Sequence, residues 1–146
     1  MTQKKPTKTD RLAGLYTKAT GLNEEIPKEL MDKLSLYGQI LEVIGGFHAS
    51  SVKAWKLAEA RRRETIASAM VYGVEMSSDD GELMQVKTAK DREAAAEIIG
   101  AQARREEAIA EGEAQRWKNA YTSTLEMIQI LKKKYDHMKE VSKGGI

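Results

Sequence analysis

The chain has 146 residues, with 24 Lys and Arg against 22 Asp and Glu, no cysteine, two prolines and one phenylalanine. That length suits one domain or a single helical unit, and 41% apolar with 5% aromatic residues allows only a thin core of Leu, Ile, Met and Ala. The lack of Cys excludes a disulfide scaffold, a cysteine zinc site and thiol catalysis, while a net charge of +2 argues against a uniformly basic polyanion binder.

In chain order, MTQKKPTKTD reads as a basic mobile tail over residues 1–9, without the apolar segment of a secretory signal. Thr9-Asp10 and Gly21 then bracket a short helix over about 10–20. Both prolines, Pro6 and Pro27, precede the bulk of the chain, so from Lys28 onward the strongest helix breaker is missing. Helix formers dominate there and strand signals are absent, which predicts one long helix over about 28–76. Gly45-Gly46 is the one place that invites a break in it. Ser77-Ser78-Asp79-Asp80-Gly81 marks a turn over 77–83, and Thr88, with Asp91 three positions on, caps a second long helix over about 86–141.

Heptad spacing recurs in both long segments. Leu30, Leu34, Tyr37, Leu41, Ile44, His48, Ser51, Trp55 and Ala58 follow alternating steps of three and four. So do Ala114, Trp117, Tyr121, Thr124, Ile128, Leu131, Tyr135 and Met138. The predicted fold is all-α: an elongated, coiled-coil-like antiparallel hairpin with the short N-terminal helix packed at its base. A turn centred near residue 80 sets residue i opposite about residue 160 − i, bringing Ile44 to Trp117 and Leu30 to Leu131. The half nearer the turn is alanine-rich, with Ile98, Ile99 and Ile109 as its larger anchors. At the base, Leu36, Ile40, Val43 and Leu125 lie off the a/d stripe, and such extra apolar width needs extra partners. The short helix covers part of it, and self-association is expected to cover the rest.

Catalytic chemistry is hard to assemble. His48 and His137 do not converge on the hairpin register, and no HExxH, GxxxxGK[ST] or GxGxxG sequence occurs. Asp79, Asp80 and Glu82 lack the spacing and twelfth-position Glu of a calcium loop. No catalytic residue, metal, cofactor or small-molecule substrate is expected. Basic clusters carry more information. Lys53, Lys56 and Arg61–Arg63 form one cationic stretch, of which Arg61–Arg63 should lie near Glu93 and Glu97, and Lys132–Lys134 should lie near Glu24, Glu25, Glu29 and Asp32. Residues 1–21 keep a net +4 and residues 117–146 a net +3, and the hairpin register sets these two excesses at one end.

Three functions follow as expectations for a non-enzymatic, cytoplasmic, helical accessory protein. The first is binding of DNA or a DNA-processing complex through Lys4, Lys5, Lys8, Arg11, Lys18, Lys139 and Lys143, each neutralised phosphate releasing counterions. Tyr and Trp side chains nearby could stack on unpaired bases. The second is inhibition of, or adaptation to, a host protein through an acidic tip at Asp79, Asp80 and Glu82. The third is a homo-oligomeric assembly joined through Leu36, Ile40, Val43 and Leu125. In style, a short, Cys-free, Lys/Glu-rich chain ending in RWKNAYTSTLEMIQILKKK resembles accessory proteins of Gram-positive phages and mobile elements.

Overall fold

The computed structural model describes residues 3–72, 75–77, 83–85 and 88–144. Three helices carry the fold: α1 (Lys8–Thr20), α2 (Pro27–Tyr72) and α3 (Ala89–Ser142). The chain is all-α apart from a three-residue antiparallel ribbon, β1 (Glu75–Ser77) paired with β2 (Leu83–Gln85), which the sequence pattern does not announce. Its pairs, Glu75 with Gln85 and Ser77 with Leu83, occupy positions where helix was expected to reach 76 and the turn to span 77–83. Helix α2 thus ends four residues short of the expectation, at Tyr72, and residues 78–82 lie outside the described residues.

Helix α1 starts two residues earlier than its predicted boundary. Thr7 is the cap: its hydroxyl accepts from the Asp10 amide at 3.1 Å, and Asp10 accepts from the Thr7 amide at 2.9 Å. This reciprocal box satisfies two amides that the first turn leaves open. Lys8 and Thr9 therefore belong to α1 and not to a tail. Pro27 occupies the first position of α2, where a missing N–H costs nothing. Thr88 caps α3, its hydroxyl accepting from the Asp91 amide at 3.1 Å. The invited break at Gly45-Gly46 does not occur, and α2 runs through both glycines. Gly45 has a packing role instead: a Cβ there would stand 3.4 Å from the Tyr121 ring.

The chain divides into two compact units, residues 1–48 with 116–146, and residues 49–115. In the first unit α2 and α3 run antiparallel, with Phe47 stacked on Trp117 at 4.5 Å between ring centroids and Lys134 held by Glu24 and Glu25. Leu15 and Ala19 of α1 close over Ile40 and Ile44 of α2, with Leu36, Tyr37, Val43, Trp117, Ala120 and Tyr121 around them. Leu30 and Leu131 are also buried, as the heptads require. Thr124, buried on the same seam, donates its hydroxyl to the Ala120 carbonyl at 2.8 Å, which satisfies it within the helix.

The second unit has an alanine seam. Ala95, Ala96, Gly100 and Ala103 of α3 are buried, as is Ala69 of α2. A Cβ on Gly100 would come within 2.9 Å of the Ile66 side chain, so Ile66 packs directly over this glycine and would have to shift to admit any larger residue. Ile98 and Ile109 are not anchors: they are 60% and 74% exposed. They lie off the stripe of Ala96, Gly100, Ala103, Glu107, Ala110 and Ala114, which continues the heptads upstream of Trp117.

The antiparallel register also differs from the expected one. Gly45 lies against Tyr121 in the first unit, and Ile66 against Gly100 in the second. Residue i thus faces about residue 166 − i in both, a shift of nearly one heptad from the expectation. The acidic partners change with it. Arg61 and Arg62 pair with Glu106 and Glu107, not with Glu93 and Glu97, and Glu97 pairs with Arg104 on its own helix.

Candidate functional site

Seven cations on the long helices, five of them on α2, have carboxylate partners among the described residues. Lys33 meets Glu24 at 2.8 Å, Lys134 meets Glu25 at 2.7 Å, and Arg63 meets Glu59 at 2.7 Å. Lys33 and Lys134 together hold the Glu24 carboxyl below its ordinary pKa, Lys33 contributing most, and Glu25 leads in raising the Lys134 ammonium. Lys56 pairs with Glu59 and lies 4.4 Å over the Trp55 ring.

The N-terminal cations differ. Lys4, Lys5, Lys8, Arg11 and Lys18 are all exposed, and none has an acidic partner among the described residues. The one carboxylate nearby in sequence, Asp10, is held in the cap by Thr7, whose hydrogen bonds lower its pKa and keep it facing the helix start. Arg11 and Lys18 stand two helical turns apart, on one side of α1 and roughly 10 Å from each other along its axis. Lys8 opens the helix, and Lys4 and Lys5 precede it in residues without regular secondary structure.

Lys139 and Lys143 are exposed too, with Lys139 over the Tyr135 ring at 5.5 Å. They do not join the first group as the hairpin arithmetic implied. The loop after α1 lies at Lys134, whereas Leu15 has already reached Ile40 and Ile44. Helix α1 therefore runs back along α2, and its first turn stands about 20 Å from that loop, the length of a 13-residue helix. Six of the seven candidate cations thus fall into two groups: Lys4, Lys5, Lys8 and Arg11 at the far end of α1, and Lys139 and Lys143 beyond Lys134 on α3. Lys18, close to that loop, links the first set toward the second.

The other candidate surfaces fare differently. Asp79, Asp80 and Glu82 lie outside the described residues. Ile40, expected on an oligomer face, is 0% exposed because Leu15 and Ala19 cover it, and Leu36 and Val43 pack around the same cluster. Leu125 remains outward at 37% exposure and lines a feature that sequence reasoning missed. This is an open groove of about 710 Å³ between α2 and α3 of the first unit, lined by Met31, Leu34, Leu41, Leu125 and Ile128, with Lys132 near its middle and Tyr135 and Asp136 toward one end. Helix α1 fills one flank of the α2–α3 pair, and this groove is the other.

His48 is half-buried and His137 exposed, and the described residues contain no cluster of three metal-ligating side chains. Aromatic rings that could have stacked on bases are engaged within the fold: Trp117 with Phe47, and Tyr16 edge-on to Tyr37. Among the described residues, no helix is long and apolar enough to cross a membrane. No protein-family model, curated protein or solved structure matches the chain.

Proposed function

We propose that this protein is a non-enzymatic, cytoplasmic accessory module that binds DNA, or a DNA-processing complex on DNA, through the phosphate backbone. The observation that carries the reading is the run of five exposed cations, Lys4, Lys5, Lys8, Arg11 and Lys18, none with a carboxylate partner among the described residues and with Asp10 tied into its cap. A side chain already held by a carboxylate has little to offer a phosphate, whereas an exposed free ammonium displaces condensed counterions on contact. The N-terminal segment and the exposed border of α1, beside its buried Leu15, carry these charges on a short path suited to one strand. With the rings of Trp117 and Phe47 stacked on each other, the contact is chiefly electrostatic and indifferent to base sequence.

Fluorescence anisotropy with a labelled duplex of mixed sequence at about 50 mM salt tests it, since phosphate contacts are strong there. The wild-type chain should bind, and the variant with Lys4→Glu, Lys5→Glu and Lys8→Glu should lose most of its affinity at unchanged helicity. Equal binding by both would remove these residues from the interface.

A further inference from the structure

The groove of the first unit has an apolar floor, with Met31 47% exposed at its lip. Its occupant can be read from the charges that flank it. On α2, Lys28, Met31, Ser35, Gly38 and Glu42 recur at steps of three and four, so they share one lip. Lys28 and Glu42 stand seven residues either side of Ser35. Both are exposed, and neither has an ion-pair partner within the described residues. The facing lip, on α3, carries Leu125, Ile128, Lys132 and Tyr135. The register that sets Gly45 against Tyr121 puts Ser35 level with about Leu131.

The α2 lip therefore holds one cation and one anion placed evenly about Ser35. A twofold axis through that level, perpendicular to the helix, superposes each charge on the opposite charge of a second copy. We infer that the groove is the contact surface of an antiparallel homodimer, in which Lys28 of one copy meets Glu42 of the other, twice. A twofold contact has to be self-complementary in this way, since the same patch serves both sides. Ser35 and Gly38 at the centre of the lip suit it, because they leave room for a second helix: a Cβ on Gly38 would meet nothing within 4 Å. Met31 of each copy then closes over this small-residue centre. On α3 the same axis passes near Leu131 and brings Ile128 of one copy between Lys132 and Tyr135 of the other. The paired α2 segment is about 20 Å long, and with the α3 lip it gives an interface near the lower bound of stable complexes.

Charge exchange on the full chain tests this, read by sedimentation equilibrium up to about 300 µM, a range suited to small interfaces. The wild type should approach twice the chain mass. Lys28→Glu alone and Glu42→Lys alone should each weaken dimerisation roughly tenfold, since each turns two rim attractions into repulsions. Mixing the two variants in equal amounts should restore the dimer, because both rim contacts of the mixed pair again join a carboxylate to an ammonium. Met31→Lys, at the centre of the contact, should abolish it with unchanged helicity. A wild type that stays at one chain mass, single variants as tightly paired as the wild type, or a mixture no tighter than its components would each overturn the inference.

Discussion

At the scale of the residue, the pair that says most about how this sequence chooses its fold is Arg62 with Glu107. Both occupy heptad seam positions, in line with Ala58 on α2 and with Ala103 and Ala110 on α3, and both are mostly withdrawn from water, at 27% and 19% exposure. Around them the seam is alanine and glycine, which bury little area and pack equally well at several offsets. A polar pair on such a seam distinguishes one offset from the next, as single polar seam residues do in coiled coils. Removing one partner leaves a charge without its counterion, so Glu107→Ala should cost roughly 2 kcal/mol in chemical denaturation. Changing both residues to Leu should recover most of that loss, as apolar replacements of inward ion pairs do. A double variant as unstable as the single one would mean that the pair does not act as a unit.

The elements explain what was legible in the sequence and what was not. The helix bounds were readable from Pro27, Gly21 and Thr88 because caps and breakers act locally. The register was not. Moving one helix by a heptad keeps Leu30, Ile44, Trp117 and Leu131 on the seam, so the apolar pattern is the same before and after. Only contacts between specific partners, Gly45 under Tyr121 and Gly100 under Ile66, separate the two. The direction of α1 was hidden for a similar reason: Leu12, Leu15 and Ala19 mark an apolar stripe but not the flank it covers. The Thr7–Asp10 box was visible in principle, but Thr9-Asp10 offers a competing start one residue pair later.

Two consequences belong to this scale. Ile40 lies under α1, so Ile40→Ala should cost about 3 kcal/mol, the usual range for a truncated core side chain. An outward Ile40 would instead leave thermal stability unchanged. The loop after α1 is fastened by Glu24 between Lys33 and Lys134, which lower its pKa. A carboxyl that holds its proton less readily folded than unfolded adds stability above its unfolded pKa, and that part is lost as the pH falls through the lowered folded value. The drop in melting temperature from about pH 7 to about pH 3 should therefore be smaller for Glu24→Gln than for the wild type. An equal drop would show that the clamp contributes nothing to acid sensitivity.

For the whole molecule, the net charge of +2 is a sum of blocks and not an even surface. The long helices hold acidic and basic residues in blocks of both signs, some of them paired, while residues 1–21 keep +4 with Asp10 tied into its cap. The sequence exposed that excess, but it could not show that α1 carries it away from Lys139 and Lys143. The proposed DNA contact therefore rests on the N-terminal set, and its most direct test is the salt dependence of DNA affinity. Neutralising four or five phosphates predicts a slope of about −4 in log K against log salt, and a loss of roughly two orders of magnitude between about 50 and 200 mM. The variant with Lys4, Lys5 and Lys8 changed to Glu should show a slope of about −1 or no binding at all. No affinity for DNA at about 50 mM salt, or an unaltered slope in that variant, would contradict the account.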